Sequence, residues 1–122
     1  MSNDAALLQR IDFFRLALNL GGNKESVREM LQLFLRTTAS QLEKLEAAER
    51  DLNIIAWLQI IHQLKGAAQN ITAKRMASLC IEAEEIQSLP HEQSRSITYH
   101  LYKEMALLGA AITAHVAQAK PR

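Results

Sequence analysis

Apolar residues recur along this chain at spacings of three and four, the period of an α-helix with one buried face. Trp57, Ile61, Leu64, Ala68 and Ile71 fall in one stripe and predict a helix from about Asn53 to Ile71. Val27, Met30, Leu31, Phe34, Thr38, Leu42, Leu45 and Ala48 form a longer stripe. That helix starts near Asn23 and carries Glu25 in its first turn, where negative charge suits the helix dipole. Its outer side holds Arg28, Glu29, Arg36, Lys44 and Glu46, the pattern of a solvated face. It breaks at Asp51-Leu52-Asn53, where either polar residue can cap the next helix. Met76, Leu79, Cys80, Ala83 and Ile86 mark a further helix from about Ala73 to Ser88, stopped by Leu89-Pro90. Ile97, Leu101, Met105, Leu108, Ile112 and Val116 mark the last, from Glu92 or Ser94 to Ala117. Ahead of them, Leu7, Leu8, Ile11 and Phe14 suggest a short helix that begins after Asn3 or Asp4 and ends at Gly21-Gly22. The terminus from Ala119 to Arg122 is expected to fray.

Four long amphipathic helices with short connections imply an all-α fold, an antiparallel up-and-down four-helix bundle with an additional short N-terminal helix. The 122 residues suit one domain, spanning 1–122, and a hydrophobic content of 48% supplies a core. A net charge of +1 gives no electrostatic case for nucleic acid or an anionic membrane. A single cysteine, Cys80, excludes an internal disulfide and a cysteine-pair metal site, and at its inward position it reads as a small core residue. No apolar run reaches the roughly 18 residues a membrane span needs, and the start lacks a basic-then-apolar leader. The expectation is a cytoplasmic monomer, because polar outer faces let the bundle close its own core.

Candidate chemistry sits on the outer face of the third helix, from about Asn53 to Ile71. His62 points roughly 140° away from the centre of the apolar stripe. Lys65, Gly66 and Gln69 lie at the third, fourth and seventh positions after it and share its face. Gly66 is costly, since an exposed helical glycine loses about 1 kcal/mol relative to alanine. Its use is to remove a side chain that would crowd the ring, so that another surface can come close. Lys65 can bring an ammonium near whatever the ring carries, and Gln69 can donate from its amide. This layout suits an anionic group on the imidazole. Ile55 and Leu58 lie within about 40° of His62 on the helical wheel. Two explanations stay open for them: packing on the neighbouring helix, or an apolar patch where a partner docks. His91, His100 and His115 are scattered and read as local structure.

Other chemistries fail on spacing. The residues three before each histidine are Gln59, Ser88, Ile97 and Ile112, so the Glu-x-x-His pairs of a di-iron bundle are missing. No phosphate-cradling loop or other recognisable ATP site exists, so ATP-dependent self-phosphorylation is not expected.

The run His62-Gln63-Leu64-Lys65-Gly66, with Met76, Cys80 and Glu84 downstream, resembles the signature of histidine-containing phosphotransfer domains, the shuttle modules of bacterial and plant phosphorelays. The resemblance covers roughly the middle third of the chain. Met76 stands at the family's leucine and keeps that position apolar. Where the family commonly has a glycine after this helix, the chain has Thr72, which could instead cap the next helix. Glu84 matches a family position and is read as structural rather than chemical.

The resemblance implies that His62 accepts a phosphoryl group from an aspartyl phosphate on a response-regulator receiver domain, and passes it on. It implies reaction at the ring nitrogen distal to the backbone; the residues themselves do not choose between the two. Lys65 would offset charge on the phosphoryl oxygens, Gln69 would offer a hydrogen bond, and Gly66 would leave room. The resemblance assigns no cofactor or metal to this chain: the aspartate and its Mg²⁺ belong to the partner. Partners are receiver domains, a hybrid histidine kinase, or both, and the apolar surface near His62 would receive a receiver helix. The alternative is a helical interaction module that carries no phosphate and binds and inhibits a receiver or kinase. A metal or cofactor bundle ranks behind both, for lack of inward-facing ligands.

Overall fold

The computed structural model describes residues 9–119, and all regular structure among them is helical. The helices are α1 (Phe13–Asn19), α2 (Lys24–Arg50), α3 (Ile54–Asn70), α4 (Lys74–Ala83) and α5 (Glu92–Ala119). Each long helix packs on its sequence neighbour, and α5 closes the ring against α2. The result is a four-helix bundle with α1 as a short appendage on α2. Among the described residues no helix is long and apolar enough to cross a membrane.

The predicted stripes form the core. Trp57, Ile61, Leu64 and Ala68 of α3 and Ile71 at its C-terminal cap are all buried, as are Met76, Leu79, Cys80, Ala83 and Ile86 in and just after α4. From α2 come Val27, Leu31, Phe34, Thr38, Leu42, Leu45 and Ala48, and from α5 Ile97, Leu101, Leu108 and Ile112. Met30, Met105 and Val116 sit half-buried at the margins.

The connections are short because one helix exit serves three times. After α1, Gly22 N–H reaches the carbonyl of Ala17 and Gly21 N–H that of Leu18. After α2, Asn53 N–H reaches Ala48 and Leu52 reaches Glu49; after α3, Ala73 reaches Ala68 and Thr72 reaches Gln69. This paired bonding needs a left-handed residue after the helix cap. Gly21 supplies it at φ +73°, but Leu52 and Thr72 adopt +56° and +60° despite their Cβ atoms. The chain then re-enters a helix at once. Asn23 and Asn53 cap α2 and α3 through their side-chain oxygens.

Several boundaries differ from the sequence expectation. The caps Asn3 or Asp4, and Leu7 and Leu8, lie outside the described residues. α1 starts at Phe13, where Asp12 accepts from Arg15 N–H. Ile11 is buried but precedes this cap, so the Ile11–Phe14 spacing is not helical, and Phe14 points outward at 75% exposed. Leu16 supplies the inner contact instead, while Phe13 stacks on His115 of α5 at 4.0 Å. Thr72 does not cap α4; its hydroxyl accepts from Asp12 N–H at 2.9 Å and ties the start of α1 to the end of α3. Ala73 stands at the cap of α4 without a side-chain bond.

α4 ends at Ala83 rather than Ser88, and a tight turn through Glu84–Ile86 keeps Ile86 inside. The apolar spacing therefore outlasts the helix. α5 begins at Glu92, where the ring of His91 accepts from Gln93 N–H, and runs to Ala119. Its first turns are fastened to α2 by Ser94 and Thr98, whose hydroxyls both donate to the Glu49 carboxylate.

Candidate functional site

Packing decides where His62 goes. With Ile61 and Leu64 committed to the core, the residue just after Ile61 must face out, and its side chain is 74% exposed. Lys65, one turn further on, lies lower against the bundle, with its side chain 22% exposed. Both meet one group from another helix, Glu84 at the cap of α4. Lys65 Nζ donates to Glu84 Oε1 at 2.9 Å, and Glu84 Oε2 faces His62 Nδ1 at 3.4 Å.

The hydrogen bond from Lys65 holds the Glu84 carboxyl below its usual range; partial burial opposes this and the contact with His62 adds to it. The carboxylate is thus ionised at neutral pH and can only accept. In the neutral ring, the proton therefore belongs on Nδ1, and Nε2 keeps its lone pair. The 3.4 Å contact is long for a hydrogen bond, so it orients the ring rather than clamping it.

Sequence reasoning assigned Glu84 a structural part; the fold makes it the centre of the cluster. Nothing local in the sequence announces this, because Glu84 is 22 residues from His62 on a different helix. Lys65 stands where expected, but its ammonium is already shared with Glu84. Gln69 is exposed and makes no side-chain hydrogen bond among the described residues. At seven residues from His62 it sits about 10 Å along the axis, so it is not brought to the ring.

Gly66 is half-buried, yet a Cβ there would meet nothing within 4 Å, and its φ is not in the left-handed range. Among the described residues, neither packing nor backbone geometry requires the glycine. The apolar flank is also present: Ile55 is 70% exposed and Leu58 packs half-buried against the core. Ile81, one turn before Glu84 on α4, adds exposed apolar surface that the sequence reading did not single out. Phe14 and Leu18 on α1 are exposed as well.

The remaining candidates have local explanations. Cys80 is buried under the cluster, and burial foremost, with Glu84 adding, pushes its thiol up to about 12. Such a thiol is inert. His91 caps α5, His100 Nδ1 lies 2.7 Å from the Ser96 carbonyl, and His115 stacks on Phe13. A groove between α2 and α5, lined by Glu49, Arg50, Arg95 and Tyr102 among others, contains none of the candidate residues. His62 instead stands with its side chain 74% exposed on the outer face of α3.

A family model described as Hpt domain matches residues 29–119. No curated protein matches the chain. Among solved structures, the chain is similar to the HPT domain of an Hpt sensor hybrid histidine kinase from Shewanella. The identity is 19% and the TM-score 0.78, with 93% of this chain and 99% of that chain covered. At that identity the likeness speaks for the fold.

Proposed function

We propose, for a chain that belongs to the Hpt domain family and so serves phosphorelay phosphotransfer, that the phosphoryl group is carried on Nε2 of His62 and exchanged with the aspartate of receiver domains. The observation that carries this is the ring itself: outward, accessible, and facing an ionised carboxylate through Nδ1. The Nε2 lone pair attacks the phosphorus of an aspartyl phosphate. The Nε2–P bond forms as the P–O bond to the aspartyl group breaks, and that electron pair leaves with the partner's carboxylate.

In such a loose transition state, positioning and charge supply most of the acceleration. Lys65, swinging from Glu84 toward the phosphoryl oxygens, offsets their charge. Gly66 leaves the opening through which the partner's acidic pocket and its Mg²⁺ approach. Ile55 and Leu58 are the apolar surface that the receiver covers. Gln69 comes into play only through a partner that bridges the distance. The working unit is one domain, a monomer in the cytoplasm, and the chain is a carrier whose chemistry happens in complex.

Transfer of radiolabel from a panel of phosphorylated receivers tests the reading. Acid-labile, alkali-stable label on the wild type, absent from His62→Gln, is the expected result. Tight binding to a receiver without any transfer would replace this reading with the inhibitory module.

A further inference from the structure

The groove between α2 and α5 takes no part in the chemistry of His62. Among the described residues its lining includes nothing from α3 or α4. It holds about 690 Å³, within the range of ligand sites. Its base is fixed from within. The Glu49 carboxylate accepts from the buried hydroxyls of Ser94 at 3.0 Å and Thr98 at 2.9 Å. The Tyr102 hydroxyl reaches the Leu42 carbonyl at 3.2 Å and the Glu46 carboxylate at 3.1 Å. Both carboxylates of the groove are thus engaged by hydroxyls.

The two guanidiniums are not matched in this way. Arg50, in the last turn of α2, and Arg95, near the start of α5, are exposed and line the same groove. Among the described residues neither forms an ion pair. The groove is neutral in sum, but its charges are sorted along it. α2 ends where α5 begins, so both guanidiniums lie toward one end of the groove. Like charges there repel, and an anion between them relieves the repulsion. The planar fork of arginine fits a carboxylate through paired hydrogen bonds.

Apolar surface gathers at the same end. Leu52, after α2, and Pro90, before α5, line the groove with Tyr99. Leu52 has a φ of +56° and is 53% exposed. The matching position after α1 is Gly21, the residue suited to that conformation. A leucine there adds strain and leaves apolar surface in water; what it supplies is a wall of the groove. Tyr99 is exposed as well, with Lys103 Nζ 5.3 Å from its ring centroid. Tyrosine and arginine beside apolar surface is the composition of binding hot spots.

We propose that this groove docks an acidic segment of a partner chain, one with an apolar or aromatic side chain beside its carboxylates, while His62 stays open to a receiver. The carboxylates pair with Arg50 and Arg95, and the apolar side chain packs on Leu52, Pro90 and Tyr99. Most of the lining is exposed, so the groove is an open trough. A small ligand would remain largely wet there, whereas ligand sites cover most of their ligand. An extended segment can lie along such a trough. The site goes beyond the carrier reading, and because docking needs no phosphate the two can fail separately.

The test uses the whole unphosphorylated chain and two sets of fluorescein-labelled hexapeptides. One alternates glutamate with leucine or tryptophan; the other has lysine in place of glutamate. By fluorescence anisotropy the acidic set is expected to bind about tenfold more tightly at low salt, with the margin shrinking as salt rises. Arg50→Gln and Arg95→Gln should each weaken the acidic peptides about threefold, and Tyr99→Ala about fivefold. Leu52→Gly suits the turn, so it should raise the urea midpoint while weakening the peptides about threefold. A purely structural Leu52 would leave the peptides unmoved. Amide shifts on binding should centre on residues 46–52 and 90–102, and peptide-saturated protein should still take label from a receiver.

Equal binding of the two peptide sets, or shifts confined to the His62 face, would overturn the proposal. So would groove shifts that grow with protein concentration alone, which would make a second copy the occupant. Binding to phosphatidylglycerol vesicles through Arg50 and Arg95, without peptide binding, would also overturn it in favour of a lipid surface. Loss of label transfer on peptide saturation, where the free protein accepts label, would overturn simultaneous use of the two faces. Circular dichroism of each variant checks that the bundle is folded.

Discussion

The two faces of α3 are built on opposite principles. The inner face, Trp57, Ile61, Leu64 and Ala68, is fully withdrawn from water and defined by what it touches inside the chain. The outer face, His62, Lys65, Gly66 and Gln69, is defined by what it leaves open. Gly66 shows the difference best. Inside a helix an alanine would serve stability better by about 1 kcal/mol, and no neighbour or backbone angle among the described residues forbids one. A residue whose own fold does not need it points to a requirement outside the molecule. Ile55 makes the same point with apolar surface left in water.

Substitutions on the two faces should therefore separate folding from function. The largest functional effect is expected for His62→Gln, which should abolish phosphoryl acceptance while the melting curve stays close to that of the wild type. On the other face, Leu64→Ala should cost about 3 kcal/mol of stability through lost burial and a cavity, read as a lowered urea midpoint. It should spare the chemistry in whatever fraction remains folded. If the two variants exchanged these outcomes, the division of α3 would be wrong.

Lys65→Ala should slow transfer without stopping it, by roughly tenfold. That is less than the ~10²-fold loss typical of a preorganised oxyanion donor, because Lys65 is shared with Glu84 at rest. An unchanged rate would remove it from the mechanism. Gly66→Ala should move two measurements in opposite directions: stability up by about 0.5–1 kcal/mol, and receiver affinity down.

The smallest expected effect is on acid stability. Glu84 has its pKa lowered in the folded state by Lys65, and His115 has its own lowered by burial. Each contributes stability that is present above its unfolded pKa and lost as pH falls toward its folded one. Stability should decline modestly below about pH 6.5 as His115 becomes prone to charge, and again below the ordinary carboxylate range. Replacing His115 with Phe, which keeps a ring against Phe13, should remove the first decline in a pH series of denaturant melts.

How much of this was legible in the sequence depends on the same division. The inner stripes could be read because helical periodicity is a local signal, and every buried position predicted for α3 is buried. The outer constellation of His62, Lys65 and Gly66 was legible for the same reason. Glu84 was visible as a residue but not as a partner, since its meeting with His62 depends on how α4 lies against α3. The misread ends have physical causes too. Phe14 comes after a cap that places Ile11 outside the helix, and Thr72 takes a left-handed position that composition would reserve for glycine. Ile86 is held in by a turn rather than by another coil of α4.

The most direct test of the central claim is the position of the phosphoryl group itself. The protein would be charged by a phosphorylated receiver and examined by phosphorus–nitrogen correlated NMR. The account predicts one phosphohistidine, at His62, with phosphorus bonded to Nε2 and the hydrogen still on Nδ1. Phosphorus on Nδ1 of His62, or on His91, His100 or His115, would contradict it.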